Sequence, residues 1–547
     1  MKLFVLEGSW DEMGSQWGRF FADNQRVKEG FEYYSREPER VSAHLSPHNP
    51  VKRALLKWAF KAGLALLSGR VREEDRRFLK AFAEGMGFSS HKALSTFCFP
   101  DFFNCLLSIS NNLLGLSIPH IPLGCSVFVA FDSATKDKAL YHGRNLDYSG
   151  GRVWEKGHCI LVMKPKNAIA SVNVLSEGVY APGITAINEE GLCVSVDLCF
   201  TRDVSFRRTP LLSLLSEIVS SAKRLRDVAD ILRKKKPLAG WAVTVSSASE
   251  KDAAVFELSA SSVEMVHPEN GILCYTNMYL SEGKKMKEYA PSYVWVENNY
   301  VRYDRLRQFL LENSGLLDEK MLIALLGDTY DPLIEREMAF ANTISNAANI
   351  SSALFCAEKD RLWVAEGDVP VNRKSFVEFS LSKLFSGKAE VLGELKGNSL
   401  GEKKERAFRY FVEACFSWEA EANLEAVIAF MDKAVEEDDG EPLYFFVRAL
   451  FLLKAERIEE AFRDIEVVLK GPLTHYKRLV VSLWKARIYD LMGNREEAYH
   501  WYEKVISGRA PLDLQKMAWK GIKKGYTRRM LKKMDVIPFL ADFVDVL

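Results

Sequence analysis

The sequence predicts an α+β chain, with layered sheets and helices first and an all-helical part last. Three observations carry this prediction: helical periodicity in the first hundred residues, a run of short apolar strands that starts at residue 125, and helices from about residue 404 to the end. Because helix pairs interrupt the strands, sheets covered by helices are expected. At 547 residues the chain is too long for one hydrophobic core.

The N-terminal segment, residues 1–124, is predicted to be helical. Charged and apolar residues alternate at helical spacing in three ranges: 12–23, 52–68 and 73–85. The apolar stretch from Leu113 to Gly124 contains Pro119 and Pro122, which favours an irregular segment over a continued helix.

Residues 125–395 are predicted to form the strand-rich core. Two apolar runs, 125–131 and 140–144, flank a polar turn at 132–137 and therefore predict a β-hairpin. Further strands are predicted at 158–164, 170–175, 183–187, 192–196, 241–248, 253–258, 262–267, 272–276, 351–356 and 361–365. Helices are predicted near residues 211–218, 225–232 and 306–310.

A repeated pattern of alanines marks residues 404–508. The members of each pair are twelve residues apart: Ala414 and Ala426, Ala449 and Ala461, and Ala486 and Ala498. The units recur at 35 and 37 residues, close to the ~34 of a tetratricopeptide repeat, which this part resembles. Such a repeat offers a surface for a protein or peptide partner.

The last part, residues 509–547, is predicted to be a basic helical tail. Its run of cationic residues comprises Lys516, Lys520, Lys523, Lys524, Arg528, Arg529, Lys532 and Lys533. A solvated helix face explains this run more simply than contact with an acidic partner does.

Composition excludes several classes of protein. The 74 Lys and Arg residues and 73 Asp and Glu residues leave a net charge of +1, so neither nucleic acid nor an anionic membrane is expected as the main partner. Nine cysteines without a CxxC pair argue against a disulfide framework or a zinc site and favour a reducing cytoplasm. Apolar runs at the N-terminus and at 58–67 are too short for a signal peptide or a membrane span. We therefore expect a cytoplasmic protein with no cofactor and no metal.

The residues with the clearest chemical meaning lie on the predicted hairpin. A cysteine that opens a strand, like Cys125, is most often a small core residue. The hairpin, however, returns Arg144 and Asp147 close to the start of its first strand. A guanidinium near a thiol favours the reactive thiolate, and a carboxylate orients an amine or a guanidinium. A plain structural Arg–Asp ion pair remains the alternative.

Several short motifs resemble one known family in their order and spacing. They are Gly124-Cys125-Ser126, Gly143-Arg144-Asn145-Leu146-Asp147, Asn188-Glu189-Glu190-Gly191-Leu192, Thr276-Asn277, an arginine near the start of the next helix (Arg302, with Arg305 behind it), and Asn342-Thr343 followed by Ala365-Glu366-Gly367. Over about residues 1–390 the chain resembles the isopenicillin-N acyltransferase-like (acyl-CoA:6-aminopenicillanic acid acyltransferase) group of autoproteolytic N-terminal-nucleophile (Ntn) enzymes. This group is related to bile-salt hydrolases and penicillin V acylases.

The resemblance implies a four-layer αββα sandwich made as an inactive precursor, with residues 1–124 as propeptide. Self-cleavage between Gly124 and Cys125 would free the α-amine of Cys125. That amine titrates at roughly 7.7–8.0 and would act as general base for the Cys125 thiol, which attacks an N-acyl amide and forms a thioester.

The resemblance also implies the roles of the neighbouring residues. Arg144 and Asp147 would hold the amine and the thiolate of Cys125. Asn277 would donate its side-chain amide to the oxyanion, and Arg302 would support the site electrostatically. The implied substrate is a small-molecule N-acyl amide.

One position departs from the family pattern. Where bile-salt hydrolases often have an oxyanion-binding asparagine, this chain has Asp197, whose negative charge would repel an oxyanion. One alternative function is therefore a catalytically degenerate scaffold whose repeat binds a protein partner. Another is a conventional cysteine protease, which requires a His–Cys pair. His142 is the histidine nearest to the matched motifs.

Overall fold

A computed structural model describes residues 1–45, 50–114, 124–421 and 423–545. The N-terminal segment begins with a strand and continues as helices: β1 (Lys2–Gly8), α1 (Trp10–Phe20), α2 (Gln25–Ser35), α3 (Glu37–Leu45), α4 (Pro50–Ser68), α5 (Glu73–Met86) and α6 (Ser90–Leu114). The start of α1 shows how sequence defines a boundary. Ser9 Oγ accepts from the Glu12 N–H, and the Glu12 carboxylate accepts from the Ser9 N–H, so that both free donors are satisfied.

The core alternates strands and helices: β2 (Gly124–Ala130), β3 (Tyr141–Asp147), α7 (Gly151–Gly157), β4 (His158–Pro165), β5 (Ser171–Ser176), β6 (Thr185–Asn188), β7 (Leu192–Leu198), α8 (Leu211–Ser221), α9 (Leu225–Lys234), β8 (Trp241–Ser247), β9 (Asp252–Leu258), β10 (Val263–Val266), β11 (Ile272–Tyr275), α10 (Glu282–Lys285), α11 (Tyr293–Glu312), α12 (Glu319–Leu326), β12 (Tyr330–Asp331), β13 (Arg336–Glu337), β14 (Asn349–Cys356), β15 (Arg361–Glu366), β16 (Ser375–Ser380), α13 (Leu381–Phe385) and β17 (Val391–Lys396). The predicted hairpin and the predicted strands recur here with end shifts of at most three residues.

Two large sheets organise this part. The first has the strand order β1-β4-β5-β6-β7-β8-β9-β10, and the second has the order β11-β2-β3-β14-β15-β16-β17. Neighbouring strands are antiparallel, except that β1 runs parallel to β4. The N-terminal segment is thus part of the first sheet.

The two sheets pack face to face across an apolar layer. Ile160 and Val174 of the first sheet lie in this layer with Phe355 and Val364 of the second. Because strand side chains alternate between faces, each sheet also has an outer apolar face. The N-terminal helices with α8 and α9 cover the first, and α11, α12 and the C-terminal helices cover the second. The layer order is helices, sheet, sheet, helices, and the α+β prediction is confirmed.

The C-terminal part consists of helices and a final hairpin: α14 (Glu402–Glu421), α15 (Leu424–Glu437), α16 (Pro442–Lys454), α17 (Ile458–Lys470), α18 (His475–Leu491), α19 (Arg495–Ser507), α20 (Leu512–Lys524), α21 (Arg528–Leu531), β18 (Met534–Ile537) and β19 (Asp542–Asp545). Helices α14 to α19 form three consecutive contacting pairs. Five of the six repeated alanines are buried between helices, and Ala426 is partly exposed. Small residues at these places let paired helices approach closely.

Three predictions about secondary structure were wrong. The N-terminal segment is not wholly helical, because the apolar residues of β1 complete the edge of the first sheet. The second sheet does not end at residue 365 but continues through β16 and β17. The tail is not helical to its end: β18 and β19 pair, and Phe543 packs on Trp484 of α18.

Two further predictions concern the irregular segment before Gly124 and the membrane-spanning helices. The predicted irregular segment up to Gly124 lies largely outside the described residues, which resume at Gly124. Within the described ranges, no helix combines the length and the apolar character needed to cross a bilayer.

Candidate active site

The hairpin of β2 and β3 sets the geometry of the predicted nucleophile. Its register pairs Gly124 with Asp147, Cys125 with Leu146, and Val127 with Arg144. Cys125 is buried at the start of β2. The two strands lie inside the second sheet, so the residues predicted to act together are held by backbone pairing on both sides.

Arg144 is the charged group that contacts the Cys125 thiol. Its Nη2 lies 3.2 Å from Cys125 Sγ, and its Nη1 donates to Asp197 Oδ1 at 2.8 Å. Arg144 also donates to the Val196 carbonyl. Because Asp197 belongs to β7, the guanidinium joins the two sheets at this point. Asp197 is therefore the ion-pair partner of Arg144, which accounts for an acid at this position.

Burial and charge act in opposite directions on the thiol. Burial raises the pKa of Cys125 to about 11, and the Arg144 guanidinium opposes the rise. Burial likewise raises the pKa of Asp197, against the effect of Arg144. The thiol is therefore protonated at neutral pH. Its charged neighbour, Arg144, is nevertheless the one that the sequence predicts.

Asp147 lies beside the predicted scissile bond. Its two carboxylate oxygens accept from Asn346 Nδ2 at 2.6 Å and from Asn349 Nδ2 at 2.9 Å. A β-carbon placed on Gly124 would lie 3.1 Å from Asp147 Oδ2. Burial raises the pKa of Asp147 to about 6, and the charge of Arg302 opposes this rise. The carboxylate is thus adjacent to the residue on the amino side of Cys125.

Arg302 holds the backbone of Cys125 and Ser126. Its Nη1 donates to the Cys125 carbonyl at 2.6 Å and to Ser126 Oγ at 2.9 Å, and its Nη2 donates to Asn277 Oδ1 at 3.2 Å. Arg302 lies in the middle of α11 and not near the start of a helix, as the sequence motif suggested. The helix is longer than its apolar pattern predicts, because its first half packs through Trp295 and two asparagines.

Asn277 contacts the peptide nitrogen of Cys125. Its Oδ1 accepts from the Cys125 N–H at 2.6 Å, and its Nδ2 donates to the Leu198 carbonyl at 3.0 Å. Donors on one side and a carbonyl on the other fix the orientation of the amide. One amide hydrogen of Asn277 is therefore directed at the Leu198 carbonyl.

Sequence reasoning missed several asparagines that support this cluster. Asn299 Oδ1 accepts from Arg302 Nη2 at 2.7 Å and from the Asn277 N–H at 3.1 Å, and Asn298 Oδ1 accepts from Arg302 Nε at 3.0 Å. The only signal in the sequence is the adjacent pair of asparagines, three and four residues before Arg302, which places them on one face of a helix.

Other motif residues serve the fold. Asn188 Oδ1 accepts from the Glu190 and Leu192 amides, so this residue shapes the turn. His142 bonds Ser195 and Ser246 through its two ring nitrogens, and burial lowers its pKa to about 3. Among the described residues, no histidine is hydrogen-bonded to Cys125 Sγ, and the His–Cys pair of a conventional cysteine protease is absent from them.

A cavity of about 160 Å³ opens beside Cys125. Cys125, Leu146 and Asp147 line it together with Val196 and Leu198. The remaining wall is largely apolar and aromatic, and much of it comes from α2, α5 and α6: Phe31, Leu79, Phe82, Ala93, Phe97, Phe103 and Leu107. The N-terminal segment therefore builds one side of the cavity into which the thiol faces.

Replacing Gly143 by alanine is expected to destabilise the hairpin. A β-carbon at Gly143 would lie 2.2 Å from the buried ring of Phe128, its cross-strand partner. Overpacking of this kind costs about 1–3 kcal/mol, and here it also displaces the neighbouring Arg144. Urea denaturation measures the loss. Gly69→Ala is the control, because its β-carbon meets only the Leu66 carbonyl oxygen at 3.5 Å; equal midpoints for the two variants would contradict the argument.

A family model and several solved structures match parts of this chain. Residues 133–369 match the family model of acyl-coenzyme A:6-aminopenicillanic acid acyl-transferase, a match that includes Arg144, Asp147, Asn277 and Arg302 and begins after Cys125. No curated protein matches the chain. A solved structure, the Caenorhabditis elegans N-acylethanolamine-hydrolyzing acid amidase (NAAA) ortholog, aligns with 15% identity and a TM-score of 0.31 over 42% of this chain and 92% of that chain. Residues 133–369 are thus similar in sequence to the acyl-coenzyme A:6-aminopenicillanic acid acyl-transferase family.

Proposed function

We propose that this chain is an autoproteolytic cysteine Ntn hydrolase or acyltransferase that acts on a linear N-acyl amide through a thioester. The observation that carries the proposal is the contact of Arg144 Nη2 with Cys125 Sγ at 3.2 Å, at the wall of an apolar cavity. The proposal takes residues 1–124 as the propeptide, which is cut at Gly124 but stays joined to the core through the pairing of β1 with β4, 125–395 as the catalytic core, 404–508 as a tetratricopeptide-like repeat and 509–547 as its tail.

Maturation would proceed by attack of the thiol on the preceding peptide bond. Cys125 Sγ forms a bond to the carbonyl carbon of Gly124, the bond from that carbon to the Cys125 nitrogen breaks, and the nitrogen takes the thiol proton. Water then hydrolyses the thioester, which leaves a carboxylate on Gly124 and frees the thiol. The hydrogen bonds from Arg302 to the Cys125 carbonyl and from the Cys125 N–H to Asn277 support this step, because they hold the reacting residue in place.

Turnover would use the amine that maturation creates. The α-amine of Cys125 takes the thiol proton, Sγ attacks the amide carbonyl of the substrate, and the amine product leaves with that proton. Water or a second amine then attacks the thioester. Asn277 would donate to the oxyanion once its amide turns from the Leu198 carbonyl, a contribution of about 3–4 kcal/mol for one such donor. Asp147 would hold the ammonium form of the amine.

The second candidate function is a degenerate scaffold that binds a partner through its repeat. The protonated state of Cys125 in the uncut chain and the engagement of Asn277 with Leu198 favour it. One observation opposes it. Arg144, which is ion-paired with Asp197, also contacts the Cys125 thiol, and an ion pair with only a structural role does not require that contact.

A chromogenic amide assay separates the two functions. We expect the wild type to hydrolyse p-nitroanilides of apolar acids, since the cavity wall is apolar, and to carry the acyl mass on the fragment that begins at Cys125 during turnover. Cys125→Ala should lose both signals. Cys274→Ala is the matched control, because Cys274 is buried in β11 against β2 but does not line the cavity. Turnover by Cys125→Ala would exclude this cysteine as the nucleophile.

A further inference from the structure

Glu37 places a carboxylate in the wall of the cavity beside Cys125. It lies at the start of α3 and is 4% exposed. The proposed mechanism gives it no role. Carboxylates are rarely buried without a partner, so its surroundings indicate which ligand the cavity accepts.

The protein supplies few donors to this carboxylate. Ser149 Oγ donates to Glu37 Oε1 at 3.2 Å, and Arg40 Nη2 approaches Oε1 to 3.7 Å. Arg40 is also engaged elsewhere: its Nη1 donates to the Tyr33 carbonyl at 2.6 Å, and its guanidinium stacks on the Tyr33 ring. A carboxylate accepts about four hydrogen bonds. Among the described residues, Glu37 therefore keeps unused acceptor capacity.

The charges near Glu37 do not balance. Glu419 of α14 is a second buried carboxyl group, which accepts from the Gly150 N–H at 3.1 Å and from the Tyr33 hydroxyl. Arg40 is the cation that acts on both carboxyl groups. Burial raises the pKa of Glu37 to about 7, and Arg40 opposes this rise only in part. Burial raises the pKa of Glu419 as well, so one guanidinium faces two carboxyl groups whose charged forms a further cation beside the cavity would stabilise.

A second polar group of the wall is also an acceptor. Asn104, 1% exposed, donates through Nδ2 to the Gly240 carbonyl at 2.7 Å and to the Cys199 carbonyl at 3.3 Å. Its Oδ1 has no partner within the part of the chain that the structure describes. None of the described residues that line the cavity is a lysine, an arginine or a histidine. The described wall thus offers acceptor oxygens to an occupant and supplies no cationic side chain of its own.

We propose that Glu37 binds a cationic group of the substrate, so that the cavity takes an N-acyl amide with an apolar body and a terminal ammonium group. That the bound amide is cleaved rests on the proposed function, whereas the binding of a cationic group does not. The apolar wall excludes water from the ion pair, and Ser149 orients the carboxylate. Glu37 acts as a specificity-determining residue and takes no part in bond making.

Direct binding to the full-length wild type tests the proposal. The probes are n-hexylammonium, 1-hexanol and hexanoate, which share one apolar chain and differ in the charge of its end. Isothermal titration should give the tightest binding for hexylammonium, roughly tenfold tighter than for hexanol, on the scale of one hydrogen bond to a charged group. Hexanoate should bind most weakly. Equal or tighter binding of hexanol or hexanoate overturns the proposal, as does the absence of binding by all three at millimolar concentration.

Two charge-neutralising variants locate the effect. Glu37→Gln should reduce the ratio of hexylammonium to hexanol affinity to about one, while Glu39→Gln, two residues away on the exposed face of α3, should keep the wild-type ratio. A ratio unchanged in Glu37→Gln overturns the role of Glu37. The wild-type ranking of the three probes decides the cationic preference even where a variant fails to fold. Because binding needs neither cleavage nor turnover, an inactive protein would contradict the proposed function and leave this ranking intact.

Discussion

Denatured wild-type protein should give two masses, corresponding to residues 1–124 and 125–547, and Cys125→Ala should give the mass of the intact chain alone. Alanine removes the sulfur that attacks the Gly124 carbonyl and leaves the rest of the cluster in place. The expected change is complete, because the Cys125 thiol is the attacking group of the proposed cleavage. Intact-protein mass spectrometry measures it directly.

Cys274→Ala controls for the loss of a buried thiol in the same sheet and should cleave like the wild type. Cleavage of Cys125→Ala at the same bond would show that another group or another protein cuts the chain. A single intact mass for the wild type would contradict self-cleavage under those conditions and would favour the scaffold function.

Arg144→Met is expected to impair both stability and cleavage. Loss of the guanidinium leaves Asp197 as a buried charge without its partner, which costs about 3–5 kcal/mol. It also removes the group that stabilises developing charge on Cys125 Sγ, a loss on the scale of about 10²–10³ in rate for one positioned donor. Chemical denaturation gives the free energy of unfolding, and the time course of fragment formation gives the cleavage rate.

A second substitution separates the two effects. In Arg144→Met with Asp197→Asn, the neutral amide replaces the unpaired charge, so stability should recover in part while cleavage stays slow. Arg305→Met breaks another Arg–Asp pair, with Asp328, away from the thiol and should retain normal cleavage. Full cleavage by the double variant would mean that Arg144 contributes to the fold only.

The sequence was sufficient to place Cys125 beside Arg144. Strand alternation and the polar turn at 132–137 define the hairpin, and a hairpin fixes which residues lie opposite one another. The motif order also named Asp147, Asn277 and Arg302, and the structure brings their side chains to Gly124, Cys125 or each other. Their catalytic roles stay predictions.

The partner of Asp197 could not be predicted in the same way. Asp197 lies on the first sheet and Arg144 on the second. Strand periodicity does not tell which strands of two packed sheets face each other. The same limit applies to Asn299, whose contact with Asn277 depends on how α11 packs against β11. The supporting asparagines have no composition signal of their own, because asparagine is equally common in turns.

The sequence by itself determined the longer strands of the core up to residue 366, the hairpin that carries Cys125 and the helix pairs that follow about residue 404, since local periodicity and turn residues encode these features. Only the tertiary structure decided that β1 joins the first sheet, that the N-terminal helices wall the cavity, that burial keeps the Cys125 thiol protonated, and that Glu37 faces the space where a substrate fits. The physical reason is that the burial of an atom and the electrostatic field at it depend on many groups that are distant in the sequence. A local sequence pattern therefore does not determine them.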